Sequence, residues 1–149
     1  MSGGPPHERV LIAGYLRRFD GWSRLCEAMA AVLGVPPSQV IALEASGDPV
    51  AFLSARTQHG DFAVAIEAFV DRTRAPGFAG KDAMMAALAR QLGVEILYDD
   101  SSSTIPYRWV LASPEGKRFE VFERPDDGPD LRLDPAHAPR PLLGGGGKP

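Results

Sequence analysis

A chain of 149 residues with 44% hydrophobic and 23% charged residues has the length of one ordinary domain and the composition of a folded one, which excludes disorder throughout. Its formal charge of −3 argues against nonspecific nucleic-acid binding, which shows itself as a basic face or stripe. The same mild acidity suits docking onto a basic partner.

In chain order, "MSGGPPHE" is Gly- and Pro-rich without periodicity and reads as a loose segment, residues 1–8, and not as a signal peptide. "RVLIAGYL" (9–16) reads as a buried strand, with Gly14 letting the backbone bend as it leaves. Asp20 is placed to cap a helix whose apolar positions Trp22, Leu25, Met29, Val32 and Leu33 recur at helical spacing. Gly34 ends that helix, and Pro36 and Pro37 stop its continuation. Cys26, the only cysteine, falls among these apolar positions and reads as a small buried hydrophobe; no intrachain disulfide is available.

"QVIALEA" (39–45) is the next strand, and "VAFLSA" (50–55) extends it, forms another, or begins a short helix. "DFAVAIEAFV" (61–70) alternates, with Phe62, Val64, Ile66 and Ala68 on one face and Ala63, Ala65, Glu67 and Phe69 on the other. "KDAMMAALARQLG" (81–93) is a second helix with Met84, Met85, Leu88 and Leu92 facing the core. "VEILYDD" (94–100) is a strand. "YRWVLASPEGKRFEVFE" (107–123) is a hairpin whose turn is "SPEG". The segment from 125 to 149 is acidic, then Pro- and Gly-rich, and reads as a flexible tail. No apolar run approaches the roughly 20 residues of a membrane-spanning helix.

Strand–helix–strand twice over predicts an α+β domain at 9–124. Its expected form is a ferredoxin-like split β-α-β sheet with two helices on one face and an added C-terminal β-hairpin. That architecture hosts many functions, so the fold alone selects none.

The most site-like stretch is "YDDSSSTIPYRW" (98–109). Asp99 and Asp100 are adjacent on extended backbone and point to opposite sides, so they do not chelate one ion together; no metal site is expected. The serines that follow suit a loop. Tyr107, Arg108 and Trp109 place a planar cation between two aromatics, a composition enriched at protein interfaces. Strand alternation offers a plainer reading, in which Tyr107 and Trp109 share the buried face and Arg108 points to water. Further on, Asp126, Asp127 and Asp130 belong to an acidic arm able to meet a basic partner.

No catalytic set emerges. The chain has no Gly-x-Ser-x-Gly elbow, no Walker-type phosphate loop and no His-Glu-x-x-His helix, and no cofactor is implied. Of the three histidines, only His59, beside Asp61, lies in a segment expected to be fixed. Arg17 and Arg18, just before a helix start, form a candidate anion site, although Asp20 competes for the same donors. Glu44 and Glu67 are strand acids able to meet on neighbouring strands.

The segment "ALARQLGVEILYDDSSSTIPYRWVLASPEGKRFEVFE" (87–123) resembles small uncharacterised bacterial proteins and some immunity proteins of bacterial toxin systems. The shared pattern is a helix ending in Leu-Gly, a strand, a polar Asp-Ser loop, an aromatic-rich strand and a Pro-x-Gly hairpin. With no catalytic set, small acidic single-domain character, the aromatic–arginine strand and the acidic arm, the chain reads as a cytoplasmic protein-interaction module, as monomer or homodimer. The resemblance implies an immunity-like form that binds and blocks a cognate protein such as a basic toxin domain. The residues themselves, through the aromatic–arginine strand and the acids on either side of it, point to a contact surface of Asp99, Asp100, Tyr107, Arg108, Trp109, Asp126, Asp127 and Asp130. The alternative is a small-ligand-binding or enzymatic domain with a pocket between the sheet and Arg17, Arg18 and His59.

Overall fold

The computed structural model describes residues 9–100, 103–125 and 130–142. The expected loose segment 1–8, and Asp126 and Asp127 of the acidic arm, lie outside these residues. Among the described residues the chain is mixed α+β, with two α-helices and one sheet of eight strands, larger than the sequence pattern suggests. The strands are β1 (Val10–Leu16), β2 (Val40–Ala42), β3 (Ala51–Thr57), β4 (Val64–Val70), β5 (Ile96–Tyr98), β6 (Arg108–Ala112), β7 (Arg118–Phe122) and β8 (Arg140–Leu142). The helices are α1 (Trp22–Leu33) and α2 (Lys81–Leu92).

The sheet order is β2-β3-β4-β1-β5-β6-β7-β8. β1 is antiparallel to both β4 and β5, and β4 is antiparallel to β3. The connection from β1 through α1 to β3 therefore steps over β4, and the one from β4 through α2 to β5 steps over β1. Each crossover joins parallel strands, and such connections are right-handed. The two run in opposite strand directions and step in opposite senses, so right-handedness puts both helices on the same face of the sheet.

Strand alternation then builds the main core. Ile12, Leu16, Leu53, Val64, Ile66, Ala68 and Ile96 meet Leu25, Met29 and Leu33 of α1 and Met85 and Leu88 of α2, all buried. Tyr98 is fully buried here, and its hydroxyl donates to Asp82 Oδ1 at 2.6 Å. Burial and that carboxylate both push its pKa above the usual tyrosine range. Cys26 is half-buried against this core, where burial raises its thiol pKa.

Several expectations change. The residue before α1 is Gly21, with no side-chain cap, while Asp20 instead accepts from Arg18. Gly14 lies within β1 and is no exit bend: a Cβ there would press on Leu97 O, Ile96 and Met85, so its smallness lets α2 and β5 close on the strand. Residues 51–57 form a strand of their own, parallel to a β2 of only three residues. Glu44 falls in the turn beyond β2, off the ladder that carries Glu67. Phe62 precedes β4 and belongs to a different cluster from Val64, Ile66 and Ala68.

The expected flexible tail at 125–149 is in part ordered structure, because its leucines have an apolar surface to cover. Leu131 is buried and Leu133 partly so, against Phe62, Leu97, Leu111 and Val121 on the sheet face away from the helices. Backbone bonds hold the strap at both sides: Asp61 N–H donates to Leu131 O, Leu133 N–H to Asp61 Oδ2, and Asp134 N–H to Phe122 O. Gly60 has φ +107° and bridges directly to Leu131, so a side chain there would collide with the strap backbone. Residues 140–142 then add β8 to the sheet edge.

Candidate functional site

The helix-free face divides into two parts. Over β5, β6 and β7 it is capped by the strap, which makes a second apolar cluster. Over β3, β4 and β1 no described helix or strand crosses it, and the Arg9 guanidinium lies over the Phe52 ring, 4.8 Å from its centroid. There the register aligns two rows. Phe52, Phe69 and Leu11 lie side by side across three strands, with Leu11 48% exposed. Ser54, Glu67 and Ala13 form the next row.

Between the bare part and the capped part lies a concavity of about 180 Å³. Its floor is made of Ala13 and Ala65, whose small side chains leave the depth that larger strand residues would fill, with the Gly14 backbone beside them. One wall is Tyr15 with Trp109, whose rings meet at 83° with centroids 5.6 Å apart. The Trp109 indole N–H donates to Glu123 Oε1 at 3.1 Å, which fixes the ring. The charged groups at the rim are Arg56, Glu67 and Asp99. Among the described residues none of these three side chains makes a hydrogen bond or ion pair.

That lack of partners stands out because the surrounding charges are paired. Arg9 and Arg74 both hold Asp48, and Arg74 also holds the fully buried Asp71. Arg17 pairs with Glu95 at 2.9 Å and lies over the Phe62 ring, and Arg18 pairs with Asp20. Arg118 lies 3.5 Å from Asp82.

The candidate contact residues separate accordingly. Asp99 and Trp109 line the concavity. Arg108 does not point to water: its side chain is 11% exposed and bridges Glu120 and Asp100. Glu120 is 7% exposed and also accepts from Arg140 Nη2 at 2.6 Å. The Arg108 guanidinium is the main reason the Glu120 carboxyl titrates below the usual range. The alternation argument fails because β7 supplies a buried acid, Glu120, opposite Val110 and so diagonal to Arg108 on the same face. Tyr107 does not share a buried face with Trp109; it is 51% exposed in the turn before β6, with φ 62°. Asp130 lies 3.5 Å from Arg132 at the strap.

The alternative ligand residues are not brought to one point. Arg17 Nη1 reaches Asp61 O, Arg18 turns to Asp20, and His59 is exposed in the loop that receives the strap. A wider hollow of about 420 Å³ lies at the start of α2, lined by Gly80, Lys81, Asp82, Gly116 and Arg118 among others, and includes none of these three. Among the described residues no group of three or more His, Cys, Asp or Glu side chains is arranged to hold a metal ion. No described helix is long and apolar enough to cross a membrane.

Sequence reasoning missed Tyr15, Arg56 and the role of Ala13. The available signal was Glu67, a single charge inside the apolar run "VAIEAFV" on the strand face away from Val64 and Ile66. No family model, curated protein or solved structure matches this chain.

Proposed function

We propose that this chain is a cytoplasmic protein-interaction module that docks one cognate protein on the bare part of its sheet. The reading is carried by the in-register row Phe52–Phe69–Leu11 on the face without helices, in which Leu11 is exposed and Phe52 and Phe69 are half-buried. Apolar residues scattered singly over a surface are ordinary, whereas a contiguous apolar patch rimmed by charges marks an interaction site. Here the rim is Arg56, Glu67 and Asp99, all unpaired among the described residues.

The framework proposed for it is ferredoxin-like. The interlocked order β3-β4-β1-β5 with two helices on one face supports this reading, and β6 and β7 would be the added hairpin, with β2 and β8 as edge extensions. The proposed partner is a protein presenting basic groups, and an immunity-like role, binding and blocking a basic toxin domain, is the form that the resemblance of residues 87–123 favours.

The test compares the protein with its Leu11→Asp variant as bait, with size-exclusion of whatever is captured. A stoichiometric basic partner held by the parent protein and lost by Leu11→Asp supports the reading. Capture that ignores the substitution overturns it. So does a homodimer of this chain that Leu11→Asp dissociates, since the face would then be occupied by a second copy.

A further inference from the structure

We infer that the concavity over Ala13 is the anchor point of that docking surface and receives one cationic side chain, a lysine or arginine, from the partner. The inference rests on the interaction reading above and names the chemistry the surface selects.

Size comes first. Small-molecule sites usually span about 300–1,000 Å³, and this concavity is about 180 Å³. It is short of a metabolite site and is of the scale of a single inserted side chain. Interfaces draw most of their energy from a few such anchors in fitted pockets.

The walls and rim select the chemistry. Glu67 is on β4 and Asp99 follows β5, with β1 and Ala13 between them. Two inter-strand spacings separate the carriers of the two carboxylates, about 10 Å. A group standing over the Ala13 methyl therefore lies between both carboxylates, each within reach of a planar guanidinium or an ammonium. Tyr15 and Trp109 supply aromatic surface at the same place, and a cation over an aromatic ring is drawn to the ring's negative face, the more so the further it is desolvated. An anionic side chain would meet two like charges, and a neutral one would leave both carboxylates without partners.

Arg56 offsets only part of this field. On β3, diagonal to Glu67 across the β3–β4 ladder, it weakens the pull of that carboxylate, but it is three strand spacings from β5 and Asp99, about 14 Å away and beyond the roughly 8 Å Debye length at physiological salt. Its place at the far rim instead gives the groove a polarity, anionic towards β5 and cationic at β3. A partner segment laid across it would present its basic residue at one end and an acid at the other.

The experiment uses n-butylguanidinium as a probe of the arginine head, titrated into the full chain while the two tryptophan indole N–H resonances are followed. Trp109 lines the concavity and Trp22 lies on α1, so one reports and the other controls. A saturable shift of Trp109 with a Kd of about 1 mM, with Trp22 unmoved, is the expected result. The neutral isostere n-butylurea should bind at least about tenfold more weakly, and the Glu67→Gln/Asp99→Asn double variant should lose about tenfold in affinity for the cation while keeping the Trp22 resonance in place. Equal shifts from n-butylurea, no saturable response to n-butylguanidinium, or unchanged affinity in the double variant would each overturn the assignment. Failure here is separable from failure of the interaction reading. Capture lost by Leu11→Asp but kept by Glu67→Gln/Asp99→Asn removes the anchor and leaves the surface, whereas capture indifferent to Leu11→Asp removes the surface itself.

Discussion

The two parts of the helix-free face begin from the same strand alternation and end differently. Over β5, β6 and β7, Leu97, Leu111 and Val121 are covered by Leu131 and Phe62, and the strap residue Leu133 is pinned to Asp61. Over β3, β4 and β1, Leu11, Phe52 and Phe69 lie in one row, with Leu11 exposed, the two phenylalanines half-buried and Arg9 over the Phe52 ring. The capped part serves stability, in which each apolar group has a neighbour from the same chain. The bare part keeps the exposed Leu11 and unpaired charges together, an arrangement that contributes little to folding and that the proposed docking would account for.

Truncation should separate the two most sharply. Phe62→Ala empties the centre of the capped cluster and should cost about 4 kcal/mol by denaturant unfolding, in the usual range for a buried phenylalanine. Leu131→Ala, from the strap side, should cost about 2–3 kcal/mol, at the low end for buried leucine because a strap can settle towards the gap more easily than a strand. Losses below about 0.5 kcal/mol for both would mean that the strap is not part of the cooperative unit.

A second contrast lies within the charges. Glu120, held by Arg108 and Arg140 and near Asp100, is structural, so Glu120→Gln should cost about 2 kcal/mol at neutral pH, as expected for hydrogen bonds to a charged group. Its folded pKa is depressed, so its contribution is fully present above the unfolded value of about 4.3. It is lost as pH falls through the lower folded value. Chemical unfolding between pH 7 and pH 3 should therefore show the gap between the parent protein and Glu120→Gln closing on the acid side. A gap of constant size would show that the carboxylate's charge is not what the two arginines hold.

How much of this was legible in the sequence follows from how local each signal is. The helices and the hairpin were readable because their information is contained in a dozen neighbouring residues: the apolar spacing of Met84, Met85 and Leu88, the left-handed Gly34 and Gly93 that close the helices, the Pro-x-Gly turn. The strap was not, because Leu131 and Leu133 sit in a Pro- and Asp-rich segment whose local composition reads as solvated, and their partners are some 70 positions away at Gly60 and Asp61. Arg108 was misjudged for the same reason: alternation assigns a face, but only the pairing of β6 with β7 brings Glu120 to it. Of the concavity, Asp99 and Trp109 were visible as an unusual composition. Ala13 and Ala65 were invisible, since a small residue in a strand signals nothing until the register places it beneath a gap.

The smallest expected effect is the most discriminating. Leu11→Ser removes an exposed apolar side chain from the bare part, and Leu11 has water where Leu131 has Phe62 and Val121. If the row Phe52–Phe69–Leu11 exists for binding, folding has little to lose there, and the thermal midpoint and denaturant midpoint should move by no more than the equivalent of about 0.5 kcal/mol. Solubility should rise, because a contiguous apolar patch is also an association liability. A loss of about 2 kcal/mol or more, of the size expected for a buried leucine, would show that Leu11 is covered in solution by this chain itself. The contrast between the two parts of the sheet would then be one of which segment caps them and not one of stability against recognition.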